Sequence, residues 1–250
     1  MEARKIIITG GATRIGAAIA EKLSGLNKEI IIHYHKSRSK AEFLKNKLKK
    51  NGTKVYLVKG DLNKEKDVNK IIKFAKSKIK YFDCLINNAS IFENDKLENF
   101  NKASWDKHIS TNLKAPALLT KEFSKNVRGK NNNIINIIDQ RVFKLTPYFF
   151  SYTISKAGLY TLTRTSAMSL SPNIRVNGIA PGPTIKNIRQ SINHFKKQYL
   201  ATPLKKQVDV KEICNAVDFF IKNSSITGQV LAVDSGQSLN WQTPDVLGKE

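Results

Sequence analysis

Residues 5–16 read KIIITGGATRIG: three successive isoleucines, then two glycines, then the start of a helical pattern. A short run that is apolar at every position suits a strand buried on both faces of a parallel sheet. Gly10 permits a tight strand-to-helix turn, and Gly16 lets the helix pack closely on the sheet. The backbone N–H groups of such a turn, with the helix N-terminus behind them, form an anion site suited to a pyrophosphate. Glycine turns between strands and helices are common. This one draws its meaning from its place directly after the first strand and before an amphipathic segment.

Reading outward, Ile15, Ala18, Ile19, Leu23 and Leu26 recur at helical spacing, which predicts a helix from Arg14 to Leu26. The pattern then alternates in type. Strands are predicted at 5–9, 29–35, 54–60, 83–89, 133–139, 174–180 and 229–234. Helices are predicted at 39–50, 65–80, 100–126, 151–170 and 209–223. Apolar strands separated by helices imply βαβ units, and right-handed crossovers then wind the sheet in both directions. The expected fold is α/β: a Rossmann-type, doubly wound parallel sheet of about seven strands with helices on both faces. No linker, repeat or low-complexity segment divides residues 1–250, so one domain is expected. The least regular stretch, 182–208, is expected to be a mobile substrate loop.

Composition narrows the classes. The 250 residues are enough to bury a core without disulfides or metal. Nothing is apolar for the roughly 18 residues a membrane span needs, and the start, MEARKIIITG, lacks the features of a secretory signal. Cys84 and Cys214 match no metal or redox spacing and read as reduced core residues, so a cytoplasmic location is expected. Lys and Arg number 43 against 20 acidic residues, a formal charge of +23. These cations are spread through helices without an aromatic-interleaved stripe, so no specific nucleic-acid partner and no membrane partner is expected. His33, His35, His108 and His194 show no metal spacing. Trp241 reads as a subunit-packing residue.

An NAD site usually carries an acid about 20 residues beyond the glycine loop. Here that count reaches Lys36, inside Tyr34-His35-Lys36-Ser37-Arg38, which contains no acid. Cationic and hydroxyl donors at that place, with Arg14, suit a 2′-phosphate, so NADP(H) is expected over NAD(H). Further along, Tyr152 and Lys156 stand four apart at the start of a predicted helix and share one face. A phenol is a poor acid–base group at neutral pH. A neighbouring ammonium is expected to lower its pKa toward the useful range. Asn112 lies in the earlier predicted helix that would flank the same pocket.

TGGATRIG, Gly60-Asp61-Leu62, Asn87-Asn88-Ala89, Asn112, Tyr152-x-x-x-Lys156, Arg175-Val176-Asn177 and Pro181-Gly182 together resemble the successive signatures of the short-chain dehydrogenase/reductase family. They occur in the family's order and cover nearly the whole chain. The resemblance implies hydride transfer with NADP(H), and it implies a role for each matching residue. Gly10, Arg14, Ile15, Gly16, Tyr34, His35, Lys36 and Ser37 would hold the phosphates and the adenosine ribose. Asp61 and Leu62 would line the adenine, and Asn88, Ala89 and Ser90 the ribose. Pro181, Gly182 and Thr184 would border the nicotinamide. Lys156 would hold the nicotinamide ribose and tune Tyr152, while Asn112 would support a proton-relay water. A homotetramer is also implied.

One departure is informative. Most members carry serine 13 positions before the tyrosine; here that position is Asp139. A hydroxyl suits polarising a ketone, whereas a carboxyl suits delivering a proton to a basic nitrogen. Within the family the chain is most similar to the pteridine reductases, which share the Asp, an Arg matching Arg14, a His-Tyr-His-basic-Ser run like 33–37, and Asn-Ala-Ser-x-Phe, here Asn88 to Phe92. That likeness implies an NADPH-dependent reductase of dihydropterin or dihydrofolate rings, with Arg14, Phe92, Asp139 and Tyr152 facing a small-molecule substrate. A carbonyl reductase such as a 3-oxoacyl-carrier-protein reductase is the nearest alternative. A non-catalytic protein that keeps the fold and binds NADP or nucleic acid is a remote one.

Overall fold

The computed structural model describes residues 4–130 and 132–241. Seven strands, β1 Lys5–Ile8, β2 Glu29–Tyr34, β3 Lys54–Lys59, β4 Cys84–Asn87, β5 Asn132–Ile137, β6 Ile174–Pro181 and β7 Val230–Val233, form one sheet in the order β3-β2-β1-β4-β5-β6-β7. Every neighbouring pair is parallel. The strand order reverses between β1 and β4, and this topological switch point opens a crevice at the strands' carboxyl ends. The glycine turn follows β1 at that crevice.

The sheet is covered on both faces. Alternate residues of one strand point to opposite sides. Ile6 and Ile8 therefore join a core beneath α1 Arg14–Lys22, α2 Arg38–Lys49 and α8 Val210–Lys222. Ile7 joins the other core, beneath α3 Glu65–Lys78 and α5 Ala115–Ser124. Ile6, Ile8, Ile30, Ile31 and Ile32 are wholly buried, as the unbroken apolar runs imply. α6, Phe150–Leu170, packs along β6 and carries Tyr152 and Lys156 on its first two turns.

Several predicted boundaries shift for local reasons. α1 stops at Lys22 rather than Leu26, because Gly25 (φ +149°) and Asn27 (φ +60°) leave helical geometry; Leu26 is then 77% exposed instead of facing the core. The expected helix at 100–126 is broken into α4 Lys102–Ile109, a π-helical turn Ser110–Lys114, and α5. The segment 182–208, read as irregular, contains a helix, α7 Ile192–Leu200. Cys84 and Cys214 are both buried free thiols. No helix among the described residues is long and apolar enough to cross a membrane.

Candidate active site

The glycine turn is built by close approach. Gly10 adopts φ +60°, and a Cβ on Gly16 would lie 2.4 Å from the Gly10 carbonyl oxygen and 2.5 Å from Asn88 Nδ2. Only glycine fits there. Thr9 Oγ1 accepts from the backbone N–H groups of Asn88 (3.0 Å) and Ala89 (3.1 Å), and Asn88 Nδ2 donates to the Thr9 and Gly10 carbonyls. The turns after β1 and β4 are thereby locked together. Asn88 thus spends its amide on this lock. The N–H groups of the first turn of α1, Arg14 to Gly16, have no intrahelical partner and remain available to an anion.

His33, which opens the His-Tyr-His-basic-Ser run, is part of this construction. Its Nδ1 accepts from Gly10 N–H (3.1 Å), its Nε2 bonds the Gly60 carbonyl (3.1 Å), and its own carbonyl accepts from Gly11 N–H (3.0 Å). Burial lowers its pKa to about 4, against the opposing pull of the Gly60 carbonyl. It is a neutral strut under the turn. Beyond it, Tyr34 is buried while His35, Lys36 and Arg38 are exposed where an adenosine ribose would lie. Ser37 precedes α2 with its hydroxyl capping no helical N–H. Asp61 stands 3.9 Å from His35 Nε2, and Leu62 is buried.

The second half of the site sits on α6. Tyr152 and Lys156 share a face as their spacing implies, but their interactions differ from the expected ones. The Tyr152 hydroxyl donates to Asp139 Oδ2 at 2.7 Å, and Asp139 Oδ1 accepts from Arg141 N–H at 2.9 Å. Lys156 Nζ donates to the Ile137 carbonyl at 2.8 Å. Burial, then the Asp139 charge, holds the Tyr152 phenol well above its ordinary pKa, against the opposing effect of Arg141. Lys156 is not among the groups that shift this pKa. The ammonium is itself buried and lowered to about 8, and Asp139, not Lys156, is bonded to the hydroxyl. Tyr152 is a neutral donor.

Asn112 occupies the π-helical turn between α4 and α5 and is wholly buried. Its Oδ1 accepts from Ile91 N–H and Ser90 Oγ, and its Nδ2 donates to the Ile91 carbonyl and Ser155 Oγ. Both amide hydrogens are committed, so the Asn112 side chain acts as a clamp on residues 90–91. That clamp sets Phe92, whose ring stacks on Phe149 (centroids 4.3 Å, 6°) and lies T-shaped to the Tyr152 ring (4.6 Å, 73°). The same loop caps α6: Asn94 Oδ1 accepts from Phe149 N–H, the Asp95 carbonyl from Phe150 N–H, and Asp95 Oδ1 from Ser151 N–H. His108, fully buried, accepts from Glu93 N–H and holds the Ser104 carbonyl. Burial opposes ionisation of Asp95, yet bonds from Ser151 and Ser104 keep its carboxyl below the ordinary range.

The segment after β6 covers this centre. Gly182 lies against Asp234 so closely that a Cβ would fall 2.5 Å from its Cα, and Thr184 Oγ1 donates to the Gly182 carbonyl. Arg14, with φ +55°, donates to the Ile185 (2.8 Å) and Lys186 (3.0 Å) carbonyls, and Arg189 donates to the Phe92 carbonyl. Sequence reasoning placed Arg14 on a phosphate or a substrate; here it ties the phosphate loop to the cover. Asp95, His108, Arg141 and Phe149 also belong to the site, though nothing in the sequence singled them out for it. Their roles are tertiary, and no local pattern marks them.

Known proteins share this fold and much of this sequence. The family described as enoyl-(acyl carrier protein) reductase matches residues 10–238. Alternative dihydrofolate reductase 1 (FolM) of Brucella canis, solved in complex with NADP, is 42% identical, with a TM-score of 0.92 and 96% of each chain covered. The 3-oxoacyl-[acyl-carrier-protein] reductase of Staphylococcus epidermidis RP62A is 30% identical over 239 residues, 93% of this chain and 98% of that one. The dihydromonapterin reductase of Enterobacter sp. strain 638 is 26% identical over 240 residues, 95% and 98%. With its seven-stranded parallel sheet, glycine turn and matched length, the chain belongs to the short-chain dehydrogenase/reductase family of oxidoreductases.

Proposed function

We propose that this chain is an NADPH-dependent reductase of dihydropterin or dihydrofolate rings. The observation that carries the reading is the 2.7 Å hydrogen bond from the Tyr152 hydroxyl to Asp139, beside the aromatic face of Phe92. The cradle fits the dinucleotide, since Gly16 holds the turn tight against the Gly10 carbonyl and the N–H groups from Arg14 to Gly16 have no intrahelical partner. Gly10 and the helix N-terminus from Arg14 to Gly16 would take the pyrophosphate. Lys36 and Ser37 would take the 2′-phosphate, Asp61 and Leu62 the adenine side, and Pro181, Gly182 and Thr184 the nicotinamide side. Bound NADPH supplies the hydride.

The chain's own groups then handle the proton and the ring. Phe92, half-buried between Phe149 and Tyr152, presents its remaining exposed apolar surface to the ring, and Arg14 closes the cover over it. Tyr152, neutral because burial and Asp139 both oppose phenolate, gives its proton to the ring nitrogen next to the reduced carbon. The half-buried Asp139 carboxylate, which accepts from that hydroxyl and from Arg141 N–H, then takes a proton from solvent and returns it to the Tyr152 phenolate. Lys156 holds the ribose hydroxyls from its seat at the Ile137 carbonyl. The likeness to FolM of Brucella canis supports this substrate class.

A carbonyl reductase is the second reading, favoured by the 30% identity to the Staphylococcus epidermidis 3-oxoacyl-[acyl-carrier-protein] reductase. The two separate in one assay. NADPH oxidation should be rapid with dihydrobiopterin, dihydromonapterin or dihydrofolate and slow with an acetoacetyl thioester; the reverse order would establish the second reading. A cytoplasmic homotetramer completes the proposal, supported by free buried cysteines and by Leu231, Leu239 and Trp241, exposed in and beyond β7. Light scattering tests the assembly.

A further inference from the structure

We infer that Arg141 recognises a carboxylate on the part of the substrate that projects from the reduced ring. The inference rests on the pterin-ring reading above and deepens it: the preferred substrate is a dihydrofolate-type molecule with an acidic tail, rather than a pterin with a neutral side chain.

Three distances place the guanidinium. It lies 4.7 Å from the Phe149 centroid and 5.8 Å from the Phe92 centroid, while the two stacked rings are only 4.3 Å apart. A cation capping the outer face of Phe149 would stand much farther from Phe92 than that. Arg141 therefore flanks the stack, beside the surface on which the ring is proposed to rest. Its backbone N–H is pinned by Asp139 Oδ1, so its position is set by the same carboxylate that holds the Tyr152 hydroxyl. Its charge also reaches the reacting centre, where it opposes the rise in the Tyr152 pKa.

The guanidinium is under-used by the protein. Nη1 donates to Thr146 Oγ1 at 3.1 Å, and no carboxylate lies within ion-pair distance among the described residues. A guanidinium presents a planar fork of donors that matches a carboxylate. The contact with the Phe149 ring, 4.7 Å from its centroid, and the bond to Thr146 hold the guanidinium in place and leave its other N–H groups without a protein acceptor among the described residues. A second cation, Arg189, sits at the same mouth on the Phe92 carbonyl, which adds to the positive field met by an incoming anion. A neutral side chain would use none of this.

The test compares KM values for dihydrofolate and for dihydrobiopterin, whose tail carries no charge, in the wild type, Arg141→Met and Arg141→Lys. The expected result is that the ratio of KM for dihydrofolate to KM for dihydrobiopterin rises roughly tenfold to a hundredfold in R141M, the loss of one charge-assisted contact. R141K should recover part of it. In the wild type, added salt should raise the dihydrofolate KM more than the dihydrobiopterin KM, a reading that needs no variant. An unchanged ratio in R141M with both substrates turned over overturns the role of Arg141 and leaves the pterin reading standing. A wild type inert toward both substrates removes the pterin reading and this inference together.

Discussion

The Tyr152 hydroxyl is where the account is most exposed at the scale of single residues. Its pairing with Asp139 and its burial keep it protonated through the working range. Tyr152→Phe should lower kcat by at least the roughly 100-fold typical of losing a general acid, with NADPH affinity nearly kept. Titration of NADPH by its own fluorescence, beside steady-state rates, checks both halves. Lys156→Ala should damage both terms. Lys156 carries a pKa lowered to about 8, so its ammonium is present below that value and lost as pH rises through it. The KM for NADPH in the wild type should therefore rise above pH 8. At the other end of the site, Lys36→Ala should weaken NADPH binding roughly tenfold to a hundredfold and hardly change NADH binding. A wild type that prefers NADH would show the stretch from Tyr34 to Arg38 to have been misread.

Among the elements, α6 decides the geometry, because it presents Tyr152 and Lys156 and is started by a distant loop. Helix N-terminal N–H groups need acceptors. Here Asn94 and Asp95, more than fifty positions earlier in the chain, supply them, so the loop that carries Phe92 also fixes the helix that carries the acid. Asp95→Ala should cost about 0.5–2 kcal/mol of stability, the usual range for a lost N-cap, and should lower kcat more than it raises KM. Asp95→Asn, which keeps an acceptor for Ser151 N–H, should restore most of both; thermal unfolding and steady-state kinetics read the pair. This cap illustrates what the sequence withheld. Strands and helices were legible because their signal is periodic and local: β2 and β3 end within a residue of their expected limits. The break of 100–126 at the π-helical turn was not legible, since it follows from the tertiary demand that Asn112 reach Ser90 and Ile91. Nor was the direction of the Tyr152 pKa. The i,i+4 spacing gave the face but not the fact that Lys156 turns to the Ile137 carbonyl.

For the whole molecule, His33 links stability to pH. It is nearly fully buried and neutral, with a folded pKa of about 4 against an ordinary value of 6.5. Between those limits the unfolded chain binds the extra proton and the folded one does not, so stability falls as pH drops from 6.5 to 4. The loss amounts to about 3 kcal/mol, one proton over that span. Unfolding midpoints measured from pH 7 to 4 should show this slope, and His33→Gln should flatten it. The formal charge of +23 acts on the same scale but through solvation, since many of its lysines pair with acids on exposed helical faces, as Lys47 does with Glu21. The sheet order could be anticipated from the alternation of strands and helices, because parallel crossovers have one favoured hand. The cover over the site could not, because Arg14 and Arg189 hold it through backbone carbonyls that no sequence pattern announces.

Asp139 and Tyr152 together are expected to deliver a proton to a pterin-type ring nitrogen, and single-turnover kinetics read that step. Single-turnover oxidation of prebound NADPH by dihydrofolate, and separately by an acetoacetyl thioester, is followed in the wild type and in Asp139→Ser across pH. The account predicts rapid reduction of dihydrofolate by the wild type. It also predicts a fall of at least roughly 100-fold in Asp139→Ser, the scale of a lost general acid, with thioester reduction unchanged or faster. Equal dihydrofolate rates in both proteins at every pH would contradict it, leaving Asp139 as the cap of the turn that it also forms with Arg141 N–H.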